Sequence, residues 1–308
     1  MQHIIPFDAY TNTQTLSEFL LDNRHVKVII EKPKLESVLV TMNSVNTVKP
    51  FHVVSLACLL EEYYIAGISI LFAHSTSDVY AYMQNIGFTD MWAKGKALKH
   101  TGFTPVNDPT AFAVWKADPT LMTDYVNSAY SHYKYSFFRE KDIAILTTYL
   151  TEIFNNVFDH AFAKGATTRT AFGMLQYYPR NKRLFISVSD FGMGIPASVN
   201  RFLRDNQLPE LSPPEALYKA RTLGFSSQSR PHNKGLGLDT LRTGLTSLRG
   251  TLTIQTSQAI YHVSRDGKET IYPLPGINFP GTTVNIKIFY NGLSEHEPDE
   301  IQDEATLF

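Results

Sequence analysis

Arg183-Leu184-Phe185-Ile186-Ser187-Val188-Ser189 leads without a break into Asp190-Phe191-Gly192-Met193-Gly194-Ile195-Pro196. The first seven residues read as a strand, and the aspartate falls at its end. Two glycines at alternate positions then let backbone lie close to a planar ligand while the carboxylate accepts a hydrogen bond from it. Taken alone, D-x-G-x-G also describes a simple turn, so the reading depends on what surrounds it.

Upstream, Asp142 to Ala163 has a helical pattern in which Glu152, Asn156 and His160 are spaced four and four. At about 100° per residue each step drifts only ~40° around the axis, so the three share one face, with Asn155 and Asp159 beside them. Ile153, Phe154, Val157 and Phe158 are left for the core; in isolation, the polar ridge also fits an exposed helix face. Downstream, Gly224-Phe225-Ser226-Ser227 and Asn233-Lys234-Gly235-Leu236-Gly237-Leu238 precede the helical pattern of Asp239 to Leu248. Glycines before a helix free its first backbone N–H groups for an anion, and the helix dipole adds about half a positive charge there. Phosphate suits such a site. Last, Pro280-Gly281-Thr282-Thr283-Val284 leads into a strand from Asn285 to Phe289. Neither a β-α-β G-x-G-x-x-G nor a Walker G-x-x-x-x-G-K-[ST] is present.

In this order and at these spacings, the four elements resemble the superfamily of gyrase, heat-shock chaperones, histidine kinases and mismatch-repair ATPases (GHKL). Glu152 to His160 matches its N box, Asp190 to Gly194 its first glycine box, Gly224 to Leu238 its second and Gly281-Thr282 its last. The resemblance implies an α/β two-layer sandwich of the GHKL (Bergerat) type over residues 119–294, with ATP and Mg²⁺ as cofactors. It makes Asn156 the amide-oxygen ligand of Mg²⁺, Glu152 the general base, and Asp190 the acceptor for the adenine amino group, with Thr282 assisting. Gly192, Gly194 and Ile195 would lie along the nucleoside, and Gly235, Leu236, Gly237 and Leu238 would cradle the phosphates. The stretch from Pro196 to Lys234 would form a lid, with Lys234 a phosphate contact. His160 has two open readings: a polar residue near phosphate or magnesium, or a histidine hydrogen-bonded to backbone.

The N box, E-x-x-x-N and then a histidine, is similar to that of the anti-sigma-factor kinases, which implies a serine/threonine-type kinase or nucleotide switch acting on a partner protein. Two alternatives stay open. A sensor histidine kinase would carry its phosphoacceptor on a helix before the ATP domain, but Ser131-His132-Tyr133-Lys134 lacks the neighbouring acid and following proline. A conformational ATPase of the gyrase kind needs a further domain to deliver a lysine. Binding of ATP without turnover is a third possibility.

Before this region, Val26 to Ile30 (VKVII) reads as a buried strand and Ser37 to Thr41 as a second. Pro50 to Ala66 then reads as a helix opened by proline, Ile68 to Phe72 as a strand, and Thr76 to Ile86 as a helix ended by Gly87. This βαβα layer, from Val26 to Trp92, resembles the STAS domain of anti-anti-sigma factors. Members switched by phosphorylation carry Asp-Ser at the start of the long helix. Here the stretch is Val48-Lys49-Pro50-Phe51-His52, with no hydroxyl, and Thr47 and Ser55 nearby read as a turn and a helix residue. Asn107-Asp108-Pro109 and Asp118-Pro119 carry turn signals, which put a linker there and divide the chain into 1–118, 119–294 and a tail, 295–308.

Residues 1–118 hold 9 Lys and Arg against 11 Asp and Glu, residues 119–294 hold 19 against 12, and the last fourteen hold 0 against 6. The middle excess suits a polyanion, but no basic stripe interleaved with aromatics runs along the chain, so nucleic acid is not the expected partner. The tail reads as acidic and disordered. Cys58 is the single cysteine, which excludes an intrachain disulfide. No secretory leader or transmembrane run is evident, so the expected location is the cytoplasm, away from the membrane. The partner protein is unidentified and a homodimer is left open.

Overall fold

A computed structural model describes residues 1–7, 13–43, 48–93, 107–163, 165–166, 169–222 and 237–295. The chain is mixed α/β. Its first part runs β1 (Gln2–Pro6), α1 (Thr13–Asn23), α2 (His25–Glu31), β2 (Ser37–Thr41), α3 (Pro50–Ile65), β3 (Ser69–Phe72) and α4 (Asp78–Asn85). The three strands are parallel and lie in the order β1-β2-β3.

One strand expected from the sequence is a helix. VKVII lies in α2, where Val28 is buried while Val26 and Ile30 point outward at 60% and 77% exposure. A five-residue apolar run does not by itself distinguish strand from helix, and tertiary contacts decide it. The Arg24 guanidinium preceding α2 is held by Glu62 of α3 at 2.5 and 3.2 Å, and the Tyr63 hydroxyl donates to the Asn23 carbonyl at 2.6 Å. The vacated place in the sheet goes to β1, whose Pro6 is tolerated because it ends an edge strand.

The second part contains β4 (Ala111–Lys116), α5 (Met122–Ser136), α6 (Ile145–Asn156), β5 (Ala171–Tyr178), β6 (Arg183–Asp190), α7 (Ile195–Asp205), α8 (Pro213–Ala220), α9 (Gly237–Ser247), β7 (Thr251–Ser257), β8 (Ala259–Val263), β9 (Glu269–Pro273) and β10 (Phe279–Phe289). Their sheet has the order β4-β5-β6-β10-β7-β8-β9 and is antiparallel throughout. The stretch expected to be a linker supplies its edge strand β4, so this sheet recruits residues ahead of the boundary expected at 118. Within the stretch expected as a lid, the described part holds α7 and α8, which pack together.

Side chains alternate across the sheet. One face, with Leu175, Ile186, Val188, Ile254 and Ile286, packs on α5, α6 and α9. The other receives α3, which is buried nearly all round from Val53 to Leu60 and packs on β5 and β6. A helix apolar on every side needs cover on every side, and α3 obtains it between the two sheets. Phe172, Met174, Phe191 and Phe279 of the large sheet and its loops join the N-terminal core.

Polar contacts tie the layers as well. Glu61 of α3 is fully buried and accepts from Trp92 Nε1 at 2.9 Å and Lys116 Nζ of β4 at 2.7 Å. Because breaking a buried pair strands the remaining charge, Lys116→Met is expected to destabilise the fold by about 3 kcal/mol. Denaturant melts monitored by tryptophan fluorescence check this; an unchanged midpoint rejects it.

Candidate functional site

The large sheet and the helices on its outer face line a pocket with a cavity volume of about 110 Å³. Glu152, Asn156, His160, Asp190, Gly194, Ile195, Gly237, Leu238 and Thr282 all line it. Residues far apart in sequence thus meet around one cavity. Gly192 belongs to the same turn beside it. Gly224 to Leu236, and with them Lys234, Gly235 and Leu236, lie outside the described residues.

Each wall has a local cause. On α6 the four-residue spacing brings Asn156 Nδ2 to 3.1 Å from Glu152 Oε1. The amide nitrogen donates to the carboxylate, and the amide oxygen is not what Glu152 engages. Immediately beyond, Val157–Ala161 widens into a single π-helical turn, a feature that recurs at functional sites. This turn carries His160 to the pocket wall and presents the Ala161 carbonyl, which accepts from Met193 N–H at 2.8 Å. A side chain at position 192 would put its Cβ 2.2 Å from that carbonyl oxygen, so only glycine allows the loop to dock.

Asp190 ends β6 between Ala171 of β5 and Thr282 of β10 and is 3% exposed. Burial pushes its carboxyl up to about 7, against the pull of the Gly192 and Thr282 backbone N–H groups, which favour the ionised form. The Gly192 bond is 2.8 Å. Opposite, Gly281 takes φ +79° with its carbonyl bound by Thr256 Oγ1 at 2.9 Å, and the same hydroxyl accepts from Ile195 N–H at 3.0 Å.

Glu152 is half-buried. Desolvation raises its pKa above the ordinary carboxylate value, the Asn156 bond opposes this, and Asp159 adds to it. The first turn of α9 lies against it, and a Cβ on Gly237 would stand 1.8 Å from Glu152 Oε1. A carboxylate that can take a proton therefore sits beside the first described turn of α9, and a buried carboxyl, Asp190, lines the same pocket.

Thr256 is a site residue that the motifs did not single out. Its signal is a polar residue in step with Leu252 and Ile254 on the core face of β7, fully buried. His132 is not part of the pocket. Its Nε2 meets the Pro109 carbonyl at 2.9 Å and its ring packs on Phe112 and Tyr133. In the N-terminal layer Ser55 is fully buried, and Thr47 lies outside the described residues. Among the described residues no cluster of three or more His, Cys, Asp or Glu is arranged for a metal, and no helix is long and apolar enough to cross a membrane. No protein-family model matches the chain, and no curated protein matches it.

Proposed function

We propose that the chain is an Mg-ATP-binding regulatory protein of the GHKL type, acting on a partner protein as a serine/threonine-type kinase or nucleotide-dependent switch. The observation that carries this reading is the convergence of Glu152, Asn156, Asp190, Gly237 and Thr282, four separate sequence elements, on one pocket with a buried carboxyl at its base. Asp190 accepts from the adenine amino group, and the glycine loop clamped at Gly192 lies along the nucleoside. Asn156, its nitrogen spent on Glu152, offers its oxygen to Mg²⁺, a hard cation that takes oxygen ligands. Bound magnesium neutralises phosphate charge. Glu152 takes the proton of an acceptor hydroxyl or a water, a role favoured by its raised pKa. The first described turn of α9, at Gly237-Leu238, lies beside Glu152 and would face the phosphates.

The STAS-like reading of residues 1–118 gives the N-terminal layer a regulatory role. Its support is α3, whose Cys58 thiol donates to the Ser189 carbonyl at 3.3 Å, one residue from Asp190. The packed environment of His132 favours this kinase or switch over the histidine-kinase alternative. Calorimetric titration tests the reading. ATP with Mg²⁺ is expected to bind with micromolar affinity and GTP much more weakly, since its 6-oxo group cannot donate to Asp190. No heat with ATP at millimolar concentration, or equal binding of the two, rejects it.

A further inference from the structure

The α3 side of the large sheet is not covered along its whole length. The register pairs Lys287 with Phe185 and Phe289 with Arg183, beyond the start of α3. Lys287 Nζ stands 5.3 Å from the Phe185 ring centre, while the guanidiniums of Arg183 and Arg265 stand 5.3 and 4.0 Å from that of Phe289. Lys49, just before α3, adds a fourth positive charge. Lys287 is held below its ordinary pKa by burial first, and then by Arg183, Lys49 and Arg265. His262, on the next strand but one, is lowered by burial and then by Lys287.

None of Lys49, Arg183, Arg265 and Lys287 forms an ion pair among the described residues. Asp266, beside Arg265, is taken up by the Ser264 hydroxyl. Elsewhere carboxylates do meet cations, as in Arg24–Glu62, Arg221–Glu269 and Arg242–Asp239. Four like charges gathered on one surface create a field that favours an anionic occupant. Cations already cover the two phenylalanine rings, which leaves no open platform for stacking bases and disfavours single-stranded nucleic acid.

One acidic segment is tethered close by. Residues 296–308 carry Glu297, Asp299, Glu300, Asp303 and Glu304 and no Lys or Arg. The chain reaches them from the Arg183–Phe289 end of the sheet. Tyr290, next to Phe289, donates its N–H to the Lys182 carbonyl at 3.0 Å, and Glu295 is salt-bridged to Lys141. Leu293 and Glu295 pack on the α5–α6 side, so the segment must pass round the sheet to the patch; thirteen residues extend at most roughly 45 Å, several times the ~10 Å between packed layers. Tethering also gives the segment an effective concentration in the millimolar range.

We infer that the acidic segment 296–308 docks on the Lys49–Arg183–Arg265–Lys287 surface of its own chain, an intramolecular ion-pairing contact. The contact is independent of the nucleotide reading.

Carbodiimide cross-linking of the full-length protein tests it, because the reagent joins a lysine amine to a carboxylate only where the two touch. In the monomer fraction, mass spectrometry is expected to find Lys287 or Lys49 linked to a carboxylate between Glu297 and Glu304. The yield should fall about tenfold in 1 M salt, where screening acts within ~3 Å. It should fall similarly in Arg183→Glu/Arg265→Glu, which leaves both amines in place. The Lys141–Glu295 link is the internal control. If that control forms and no tail carboxylate links to Lys49 or Lys287, the inference fails. It also fails if isotope mixing shows the links to be between molecules, or if neutralising the five tail acids leaves oligonucleotide or acidic-peptide binding to the patch unchanged.

Discussion

Asp190→Asn is expected to weaken ATP binding by about a hundredfold and, at pH 8, to make the nucleotide-free protein more stable. The carboxyl has a pKa of about 7 in the fold against 3.8 as its ordinary value, because burial penalises its charge. Between those two values the native state holds a proton that the unfolded chain has released, so stability falls as pH rises. The full contribution is present below about pH 4 and has been lost once the pH passes 7. Each pKa unit corresponds to about 1.4 kcal/mol, and with interior relaxation a penalty of roughly 1–3 kcal/mol is expected above pH 7. Asparagine keeps an oxygen for the Gly192 and Thr282 N–H groups and never ionises. In the proposed ATP complex, however, its amide hydrogens would face the adenine amino group donor to donor, and leaving buried donors unpaired costs ~1–3 kcal/mol in binding. Melting curves at pH 5 and pH 8, paired with ATP titrations, check both halves. The two proteins should be similar in stability at pH 5, with the variant higher at pH 8, and wild-type ATP affinity should itself rise through pH 7. A variant less stable than wild type at pH 8 rejects the assignment of strain to this carboxyl.

The elements around the pocket were legible because their chemistry is local. E-x-x-x-N puts two side chains on one helix face wherever a helix forms, and the observed contact between Asn156 and Glu152 follows from that spacing. D-x-G-x-G and Gly281 announce close backbone approach, and Cβ atoms at 192 and 281 would lie 2.2 Å and 2.1 Å from carbonyl oxygens. What the chain did not disclose depends on partners distant in sequence. VKVII has strand-like composition but is helical, because Arg24 before it is anchored to Glu62 and the sheet edge is taken by β1. The strand Ala111–Lys116 was masked by flanking turn signals, although Lys116 pairs with Glu61, fifty-five positions away. The basic surface around Lys287 was hidden for the same reason. Its charges and rings interleave across strands, not along the chain.

Glu152→Gln is expected to leave ATP affinity within about threefold of wild type while reducing phosphotransfer or ATP hydrolysis by about 10²–10⁴-fold, the usual worth of a positioned general base. The change is isosteric. Glutamine can still accept from Asn156, so the α6 face and its amide oxygen keep their arrangement. What it loses is the negative charge beside the first turn of α9 and the ability to take a proton. Because burial raises the Glu152 pKa above the usual carboxylate range, wild-type turnover should climb with pH to a plateau whose midpoint lies above that range. The variant should lack this limb. Single-turnover assays with γ-labelled ATP across pH, with ATP affinity measured in parallel, separate the cases. Unchanged turnover in the variant removes Glu152 from the role of base. Absent turnover in both proteins, with ATP bound, turns the protein into a nucleotide-held switch whose product is a conformation. Label on the chain's own His132 overturns the reading altogether, since that ring is packed against Phe112 and bonded to Pro109. A histidine so held would have to leave its place to meet the γ-phosphate.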